Sequence, residues 1–384
     1  MKRIFICLFS LLLFCSNVKA EEGIKLAENA SSAILLEAST GEIIYEKNSH
    51  EKMNPASMTK MMSMLLIVEN IEKGVISWDE MVTVSERASG MGGSQILLET
   101  GEQMSVKDLF KGIAVASGND AVVAMAEKIG GTEENFVNMM NERAKQMGLT
   151  DTNFKNPHGL DEANHYSSAY DMAMIAKELV KHEEVLKYTS IYEDYLRKGT
   201  SKETWLVNTN KLVKFYDGVD GLKTGYTSEA GYCLTATAKK NDIRLIAVVM
   251  KEPDNKTRSS DITSMLDYGF TQYSVEKLLD TNSTILTKKI DKGDLEFVEL
   301  VPTEDVNILN KKIENKRNVT YDIQVNELKV PLKKGDIVGK LNLIENNKII
   351  DTIDVTVKQN VKKCNIFELF TRYLKDIITG NINI

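Results

Sequence analysis

A short polar stretch that heads a long apolar run constrains this chain most. Residues 54–60 read Asn-Pro-Ala-Ser-Met-Thr-Lys, and the apolar run over residues 61–68 follows at once. Pro55 favours an extended or turn entry and Gly74 offers a stop, so the pattern predicts a helix over residues 57–73. A helix that starts with so many consecutive apolar residues belongs in the protein interior. The remaining elements must therefore pack around it.

Ser57 and Lys60 are one helical turn apart at the start of this predicted helix. Residues three positions apart share one face of a helix. The first turn also has free backbone N–H groups and the positive end of the helix dipole, which can stabilise an oxyanion. A lysine buried against apolar residues can lose its proton and act as a base for a serine hydroxyl. Ser57 is therefore the candidate nucleophile and Lys60 the candidate base.

The Ser-x-x-Lys spacing is not specific by itself. It occurs three more times in the chain, at Ser16 and Lys19, at Ser49 and Lys52, and at Ser274 and Lys277. Such a pair is more often a solvated surface pair than a catalytic one. The case for Ser57 rests on the apolar helix that it heads and on two further motifs downstream.

The first twenty residues predict a secretory signal peptide. Lys2 and Arg3 precede an apolar run over residues 4–14, and a small-residue cleavage site ends at Ala20. An uncleaved anchor is one alternative, but the apolar run is short for a membrane span. A lipoprotein signal through Cys15 is another, and is weaker because a bulky residue precedes the cysteine. We therefore expect an exported protein.

Charge and cysteine content exclude several classes of protein. Removal of the leader takes away three cations and changes the net charge from −7 to −10. An acidic exported chain is a poor ligand for phosphate backbones, so no nucleic-acid partner is expected. Only Cys233 and Cys364 remain, and their separation predicts two isolated buried or half-buried thiols. The four histidines and the cysteines have no ligand spacing, so no metal and no cofactor are expected.

Residues 21–274 have the pattern of one α/β (α+β) domain with strands at both ends and helices between. Strands are predicted at residues 32–37, 42–46, 232–238 and 244–250. Helices are predicted at residues 106–115, 121–129, 136–147, 168–180 and 260–270. The terminal strands are expected to meet in one antiparallel sheet that carries a helical cluster.

The pattern of apolar and polar residues changes after residue 274. Residues 275–360 alternate short apolar runs with turns rich in Lys, Asp and Asn, which predicts a small all-β domain. Residues 361–384 form a tail whose apolar side chains fall on one helical face: Ile366, Phe367, Leu369, Phe370, Tyr373, Leu374, Ile377 and Ile378.

This tail is predicted to be an amphipathic membrane-anchor helix. Charged residues interrupt it throughout, so it is unable to span a bilayer, but it can lie in the interface with its apolar face down. Lys358, Lys362 and Lys363 are placed to meet anionic headgroups. The alternative is a helix packed on the all-β domain, which uses the same pattern.

Two further motifs supply partners for Ser57 and Lys60. The first is Ser117-Gly118-Asn119, in which Ser117 can pass a proton to a leaving amine and Asn119 can hold a substrate amide. The second is Lys223-Thr224-Gly225, which offers a cation for a carboxylate, a hydroxyl, and a position without a side chain. A peptide-like substrate can then lie along that strand. The backbone N–H groups of Ser57 and Tyr226 would form the oxyanion hole.

With these three motifs in this order, the chain resembles the low-molecular-mass penicillin-binding proteins, the serine-type D-alanyl-D-alanine carboxypeptidases of peptidoglycan. The resemblance extends over the signal peptide, the His158-Gly159-Leu160 turn, the β domain and the tail. It implies a serine β-lactamase/transpeptidase-like domain that forms an acyl-enzyme with stem peptides and with β-lactam antibiotics. It also implies catalytic roles for Ser57, Lys60 and Ser117. Substrate-binding roles follow for Asn119, Lys223, Thr224, Gly225, Tyr226 and Arg258, the last as a carboxylate-binding arginine.

Two other functions fit parts of this pattern. A serine β-lactamase shares the motif order, but commonly adds a glutamate that activates water for fast deacylation. Asp151, Asp161, Glu162, Asp171 and Glu178 are the acidic residues in the relevant stretch, and none lies in that loop pattern. A catalytically idle wall-binding scaffold would retain the fold, but no position of the three motifs is degraded. His158 and Asp171 are interpreted as a turn-stabilising histidine and a helix-start aspartate.

Overall fold

The structure is a computed structural model that describes residues 25–314 and 316–379. The predicted signal peptide, residues 1–20, lies outside the described residues. The helices are α1 (Lys60–Glu72), α2 (Glu86–Ser89), α3 (Val106–Ala116), α4 (Asn119–Gly130), α5 (Glu133–Gln146), α6 (Ala169–Leu179), α7 (Glu183–Thr189), α8 (Leu212–Phe215), α9 (Asn255–Gln272) and α10 (Ile366–Thr379). The strands are β1 (Ser32–Glu37), β2 (Ile43–Lys47), β3 (Met81–Thr83), β4 (Gln103–Ser105), β5 (Glu193–Leu196), β6 (Thr204–Val207), β7 (Val219–Thr227), β8 (Gly231–Lys240), β9 (Ile243–Glu252), β10 (Tyr273–Leu279), β11 (Leu286–Lys289), β12 (Phe297–Pro302), β13 (Val306–Lys311), β14 (Thr320–Val325), β15 (Gly339–Glu345) and β16 (Lys348–Val357).

A five-stranded antiparallel sheet organises the first half of the chain. Its strand order is β2-β1-β9-β8-β7, so β1 pairs with β9 although the helical cluster lies between them in sequence. The strands from the two ends of this domain therefore meet in one sheet, and the predicted α/β fold class is confirmed. β7 lies at the edge of the sheet, where alternate backbone groups have no strand partner.

The helix predicted over residues 57–73 lies at the centre of the main core. A 3₁₀ turn, Ala56–Thr59, leads into α1. Met58, Met61, Met62 and Met64 are fully buried and fill this core. The core lies between one face of the sheet and the helical cluster, and α9 covers the other face.

Side-chain caps mark the starts of α3, α5, α6 and α9; the first three lie within three residues of their predicted starts, whereas α9 begins five residues before residue 260. The side chains of Ser105, Thr132, Ser168 and Asp254 each accept a hydrogen bond from a backbone N–H in the first turn of the helix that follows. A cap of this kind satisfies a donor that the helix leaves open and contributes ~1 kcal/mol. The start of each of these four helices is therefore encoded within four residues of sequence.

The second half of the chain is a β domain, as predicted. Its five-stranded sheet has the order β11-β12-β16-β15-β14, and β10 pairs separately with β13. The boundary predicted between residues 274 and 275 falls inside β10. Arg317 joins the two halves, because its guanidinium binds Glu345 of β15 and, at 2.6 and 2.7 Å, the carboxylate of Glu42 beside β2.

The chain ends in the amphipathic helix α10. Its first turns contact the β domain where Arg372 donates to the backbone carbonyls of Asp294 and Leu295. In the described part of the chain, no helix combines the length and apolarity needed to cross a bilayer. Cys233 and Cys364 are separate buried thiols, as the sequence predicts.

Candidate active site

The candidate nucleophile, Ser57, is half-buried on the 3₁₀ turn, with β7 directly against it. A Cβ built on Gly225 of β7 would lie 2.7 Å from the Pro55 carbonyl oxygen and 3.3 Å from the Ser57 nitrogen. Only glycine allows this approach. The substrate role predicted for Gly225 stays a prediction, and the structure adds that the missing side chain leaves room for the nucleophile turn.

The amine of Lys60 is buried among three oxygens. Its Nζ lies 2.9 Å from Ser57 Oγ, 2.6 Å from Asn119 Oδ1 and 2.8 Å from the His158 carbonyl oxygen. The amide and the carbonyl oxygens can only accept hydrogen bonds. A neutral amine that donates its two hydrogens to them therefore presents its lone pair to the Ser57 hydroxyl. This geometry prepares Lys60 to remove the serine proton.

Electrostatics favour the neutral form of that amine. Lys60 is fully buried, and desolvation together with the nearby Lys223 cation holds its pKa well below the usual range. Asp120, in the first turn of α4, acts in the opposite direction but is the smaller effect. Lys60 can therefore act as a base near neutral pH.

The Ser117-Gly118-Asn119 motif joins α3 to α4. Ser117 ends α3 in the left-handed conformation, φ 62°, and its buried Oγ has no hydrogen-bond partner among the described residues. Asn119 Oδ1 accepts from Lys60, while Nδ2 donates to the Gly92 carbonyl at 2.7 Å. Asn119 thus orients the base, a role that the sequence did not predict, and retains one Nδ2 hydrogen for a substrate amide.

Two buried cations lie together beside β7. Lys223 is fully buried and Arg258 is 4% exposed. Burial, with the Arg258 charge, lowers the pKa of Lys223 to about 7. Arg258 Nη2 donates to Asn255, but its Nε has no partner among the described residues. A buried cation pair without a carboxylate partner is suited to bind an anionic group.

The acidic residue near this pair does not neutralise it. Burial and the neighbouring Asp261 raise the pKa of Glu252 to about 8, so this carboxyl is mostly protonated at neutral pH. Both Glu252 oxygens are buried, and among the described residues neither forms a hydrogen bond or ion pair with Arg258. The positive charge of Arg258 therefore remains available to a ligand.

The other β7 residues line the same edge of the sheet. Thr224 Oγ1 donates to Thr209 Oγ1 at 2.8 Å, which orients the hydroxyl. Tyr226 is 55% exposed, and its ring lies 4.4 Å from that of Tyr232. Ser57 N lies beside this strand, as an oxyanion hole shared by Ser57 and Tyr226 requires, although the hole itself stays a prediction.

The His158-Gly159-Leu160 turn contributes backbone rather than an imidazole. His158 Nδ1 accepts from Leu160 N at 3.2 Å, and Nε2 faces Glu133 at 3.5 Å, so the ring stabilises the turn as predicted. The carbonyl of the same residue contacts Lys60. A sequence motif does not reveal such a role, because every residue has a carbonyl.

The loop over residues 92–98, which contacts Asn119, is held by residues that the motifs do not include. The Asp120 carboxylate accepts from the backbone N–H groups of Ile96 and Leu98. Arg197, from the β5–β6 hairpin, donates to the carbonyls of Ile96 and Leu97. The position of Asp120 directly after Asn119 was the one signal in the sequence that could have indicated its role.

Comparison with known proteins agrees with this geometry. The pattern of the D-alanyl-D-alanine carboxypeptidase family matches residues 18–254, which is more than half of the chain. The chain belongs to this family. The C-terminal domain pattern of penicillin-binding protein 5 matches residues 273–363, so the carboxypeptidase assignment extends into the β domain.

Individual members of the carboxypeptidase family match over most of their length. D-alanyl-D-alanine carboxypeptidase DacF of Bacillus subtilis is 50% identical over 353 residues, which is 92% of this chain and 91% of that protein. Penicillin-binding protein 5 of Haemophilus influenzae has a TM-score of 0.71 and 34% identity, with 88% of this chain and 99% of that one covered. Penicillin-binding protein D2 of Listeria monocytogenes, solved with ampicillin bound, has a TM-score of 0.57 and 30% identity over 64% of this chain and 99% of its own.

Proposed function

We propose that this carboxypeptidase removes the terminal D-alanine from peptidoglycan pentapeptide stems through an acyl-enzyme on Ser57, and that β-lactams acylate the same serine. The observation that carries the proposal is the Lys60 amine, whose two obligate acceptors direct its lone pair to the Ser57 hydroxyl. The test is incubation with a fluorescent penicillin followed by denaturing electrophoresis, together with an assay for released D-alanine.

Acylation follows from the positions of these groups. Lys60 takes the Ser57 proton as Oγ bonds to the carbonyl carbon of the penultimate D-alanine. The oxyanion that forms lies between the N–H groups of Ser57 and Tyr226. As the C–N bond breaks, the amine leaves with a proton that passes from Lys60 through Ser117, whose hydroxyl has no competing partner. The products are free D-alanine and an ester on Ser57.

Deacylation reverses the roles of the same residues. A water molecule occupies the place of the departed amine and loses a proton to Lys60 as its oxygen bonds to the ester carbonyl. Collapse of the second oxyanion breaks the bond to Ser57 Oγ, which regains the proton. The shortened stem peptide leaves with a new carboxylate, and the enzyme is restored.

Lys223 and Arg258 give this proposal its preference for a chain end. Lys223→Ala should slow turnover of peptides with a free terminal carboxylate. The expected rise in their activation free energy is about 2–4 kcal/mol, because a buried charged contact to the transition state is lost. Amidated peptides should lose much less. Since the pKa of Lys223 is about 7, the preference of the wild-type enzyme for free acids should also decline as pH rises through that value.

Steady-state kinetics on matched free-acid and amidated peptides across pH 5.5–9 would check this prediction. The amidated peptide is the internal control, because it retains every contact except the terminal charge. Equal losses on the two substrates would rule out a carboxylate-binding role for Lys223.

A β-lactamase is the alternative enzyme, and the acidic residues near the site argue against it. Asp151 binds His50, Asp161 binds Thr227, Glu162 binds Asn156, Asp171 binds Thr152, and Glu178 binds Arg143. None of the five has a hydrogen bond to Ser57 or Lys60. A penicillin label that persists supports the carboxypeptidase, whereas a label that is lost rapidly supports the β-lactamase.

We also propose that the protein is exported and that α10 holds it on an anionic membrane surface at the outer face of the cytoplasmic membrane. Most apolar residues of α10 are exposed rather than packed: Ile366, Phe367, Phe370, Tyr373, Leu374, Ile377 and Ile378 are each between 44% and 80% exposed, while Leu369 is partly buried. This argues against the alternative in which the apolar face packs on the β domain. Lys362 and Lys363 are exposed next to the helix, whereas Lys358 is bound to Glu299.

Deletion of residues 366–384 should release a folded enzyme from anionic vesicles without loss of penicillin labelling. The cut leaves the backbone bonds of Leu332 with Val361 and of Cys364 with Lys292 in place, so the β domain should remain intact. Vesicle co-sedimentation and thermal unfolding would measure the two properties.

Single substitutions provide a matched pair for the tail. Phe370→Glu places a charge on the apolar face and should weaken vesicle binding strongly, whereas Thr371→Glu places the same charge on the polar face and should weaken it only slightly. Vesicle binding by the shortened protein equal to that of the full chain would contradict the anchor.

A further inference from the structure

One peptide unit controls the third contact of the catalytic amine. The carbonyl that binds Lys60 Nζ at 2.8 Å belongs to the peptide between His158 and Gly159. The N–H group of the same peptide points the opposite way, because the bond is trans. Rotation of this single unit would turn an acceptor away from Lys60 and a donor towards it.

Asn156 holds the other end of that peptide unit. Its Oδ1 accepts from Gly159 N at 2.7 Å, and its Nδ2 donates to the Leu160 carbonyl and to Glu162 Oε2, each at 3.0 Å. The side chain is 5% exposed. Asn156 therefore closes a continuous line of hydrogen bonds from its own amide, through the peptide, to Lys60.

We propose that Asn156 is a positioning residue for the general base: it fixes the His158–Gly159 peptide so that its carbonyl takes one hydrogen of Lys60 and the lone pair stays on Ser57. This inference rests on the proposed function, in which Lys60 is the base. The bond to Gly159 N also polarises the peptide, which makes its carbonyl a stronger acceptor.

Neighbouring residues hold the turn in place, while Asn156 fixes the orientation of the His158–Gly159 peptide within it. Ser63 Oγ donates to the Pro157 carbonyl at 2.7 Å and ties the turn to α1. Gly159 has φ 88°, and a Cβ there would lie 1.9 Å from the Ala56 carbonyl oxygen. These contacts fix where the turn lies. Among the described residues, Gly159 N donates its hydrogen bond to Asn156 Oδ1.

The charged groups around Lys60 determine the expected pH effect. Lys223 on β7 opposes its protonation, Asp120 on α4 favours it, and the His158 imidazole lies near enough to interact. The His158 carbonyl oxygen also favours the ammonium form, because its partial charge is negative. Loss of that carbonyl should therefore move the acidic limb of the acylation profile to lower pH, while the plateau falls.

The test is the acylation rate per active site, measured with a fluorescent penicillin across pH 5–9. Asn156→Ala should lower the plateau about tenfold, part of the 10²–10⁴-fold that a positioned base contributes, and move the acidic limb to lower pH. Because the rate is normalised to the sites that label at completion, a smaller folded fraction does not affect it. An unchanged plateau would overturn the proposal.

Two control variants separate orientation of the peptide from general support of the loop. Asn141 binds both backbone groups of Phe154 in the same loop, so Asn141→Ala should lower thermal stability and leave the acylation profile unchanged. The double variant Asn156→Asp, Glu162→Gln retains an acceptor for Gly159 N. Its acylation plateau should stay within about threefold of the wild-type value. A plateau as low as that of Asn156→Ala in either control would also overturn the proposal.

The proposed function fails in a different way. If Ser57→Ala still labelled with penicillin, the acyl-enzyme assignment would be wrong whatever the Asn156 variants did. If Ser57→Ala abolished labelling and Asn156→Ala acylated at the wild-type rate, only the positioning role would be lost.

Discussion

Ser57→Ala should abolish penicillin labelling and lower D-alanine release by at least about four orders of magnitude, the scale of loss when a serine hydrolase loses its nucleophile. The reason is that, among the described residues, Ser57 supplies the one side-chain hydroxyl that is hydrogen-bonded to the Lys60 amine. Labelling by gel fluorescence and D-alanine release by a coupled assay would measure the two losses.

A matched control for this variant is Ser49→Ala. Ser49 also stands three residues before a lysine, but its Oγ donates to Glu46 Oε2 rather than contacting a buried amine. This variant should label as the wild type does. Mass spectrometry should find the penicilloyl adduct on Ser57, and an adduct on another serine would remove the assignment.

Lys60→Arg should lower acylation by about 10²–10⁴-fold, the contribution of a positioned general base. Arginine remains charged at every accessible pH, so it is unable to take the Ser57 proton. In the wild-type enzyme, the neutral amine is the active form, and acylation should therefore rise as pH rises through the depressed pKa of Lys60. The residual rate of the variant should lack this rise.

The guanidinium is larger than the ammonium, so folding has to be measured alongside. Thermal unfolding of Lys60→Arg and of the neutral variant Lys60→Met would show whether either side chain fits the buried site. Both should acylate slowly, since neither supplies a lone pair. Acylation at the wild-type rate by a folded Lys60→Arg would exclude Lys60 as the base.

Much of the fold can be predicted because the signals are local. The apolar run after Lys60 predicts a buried helix, and the caps at Ser105 and Ser168 mark helix starts within four residues. The three motifs could be placed in order along the chain without knowledge of their distances in space. The pairing of β1 with β9 follows from the need of terminal strands to share one sheet.

The reasons for individual residues were harder to predict. The substrate roles of Gly225 and Asn119 stay predictions, and the structure adds a second role for each. The main chain at Pro55 and Ser57 occupies the space beside Gly225. The side-chain oxygen of Asn119 holds Lys60. In both cases the additional partner lies far away in sequence.

The sequence by itself determined the residue types of the site, the element pattern and the class of chemistry, because periodicity, caps and motif order depend on neighbours a few positions apart. Only the tertiary structure decided how the base is oriented. The acceptors that direct its lone pair are Asn119 Oδ1, 59 residues away, and the His158 carbonyl, 98 residues away. A backbone carbonyl is present at every residue, so its selection for catalysis depends on packing alone.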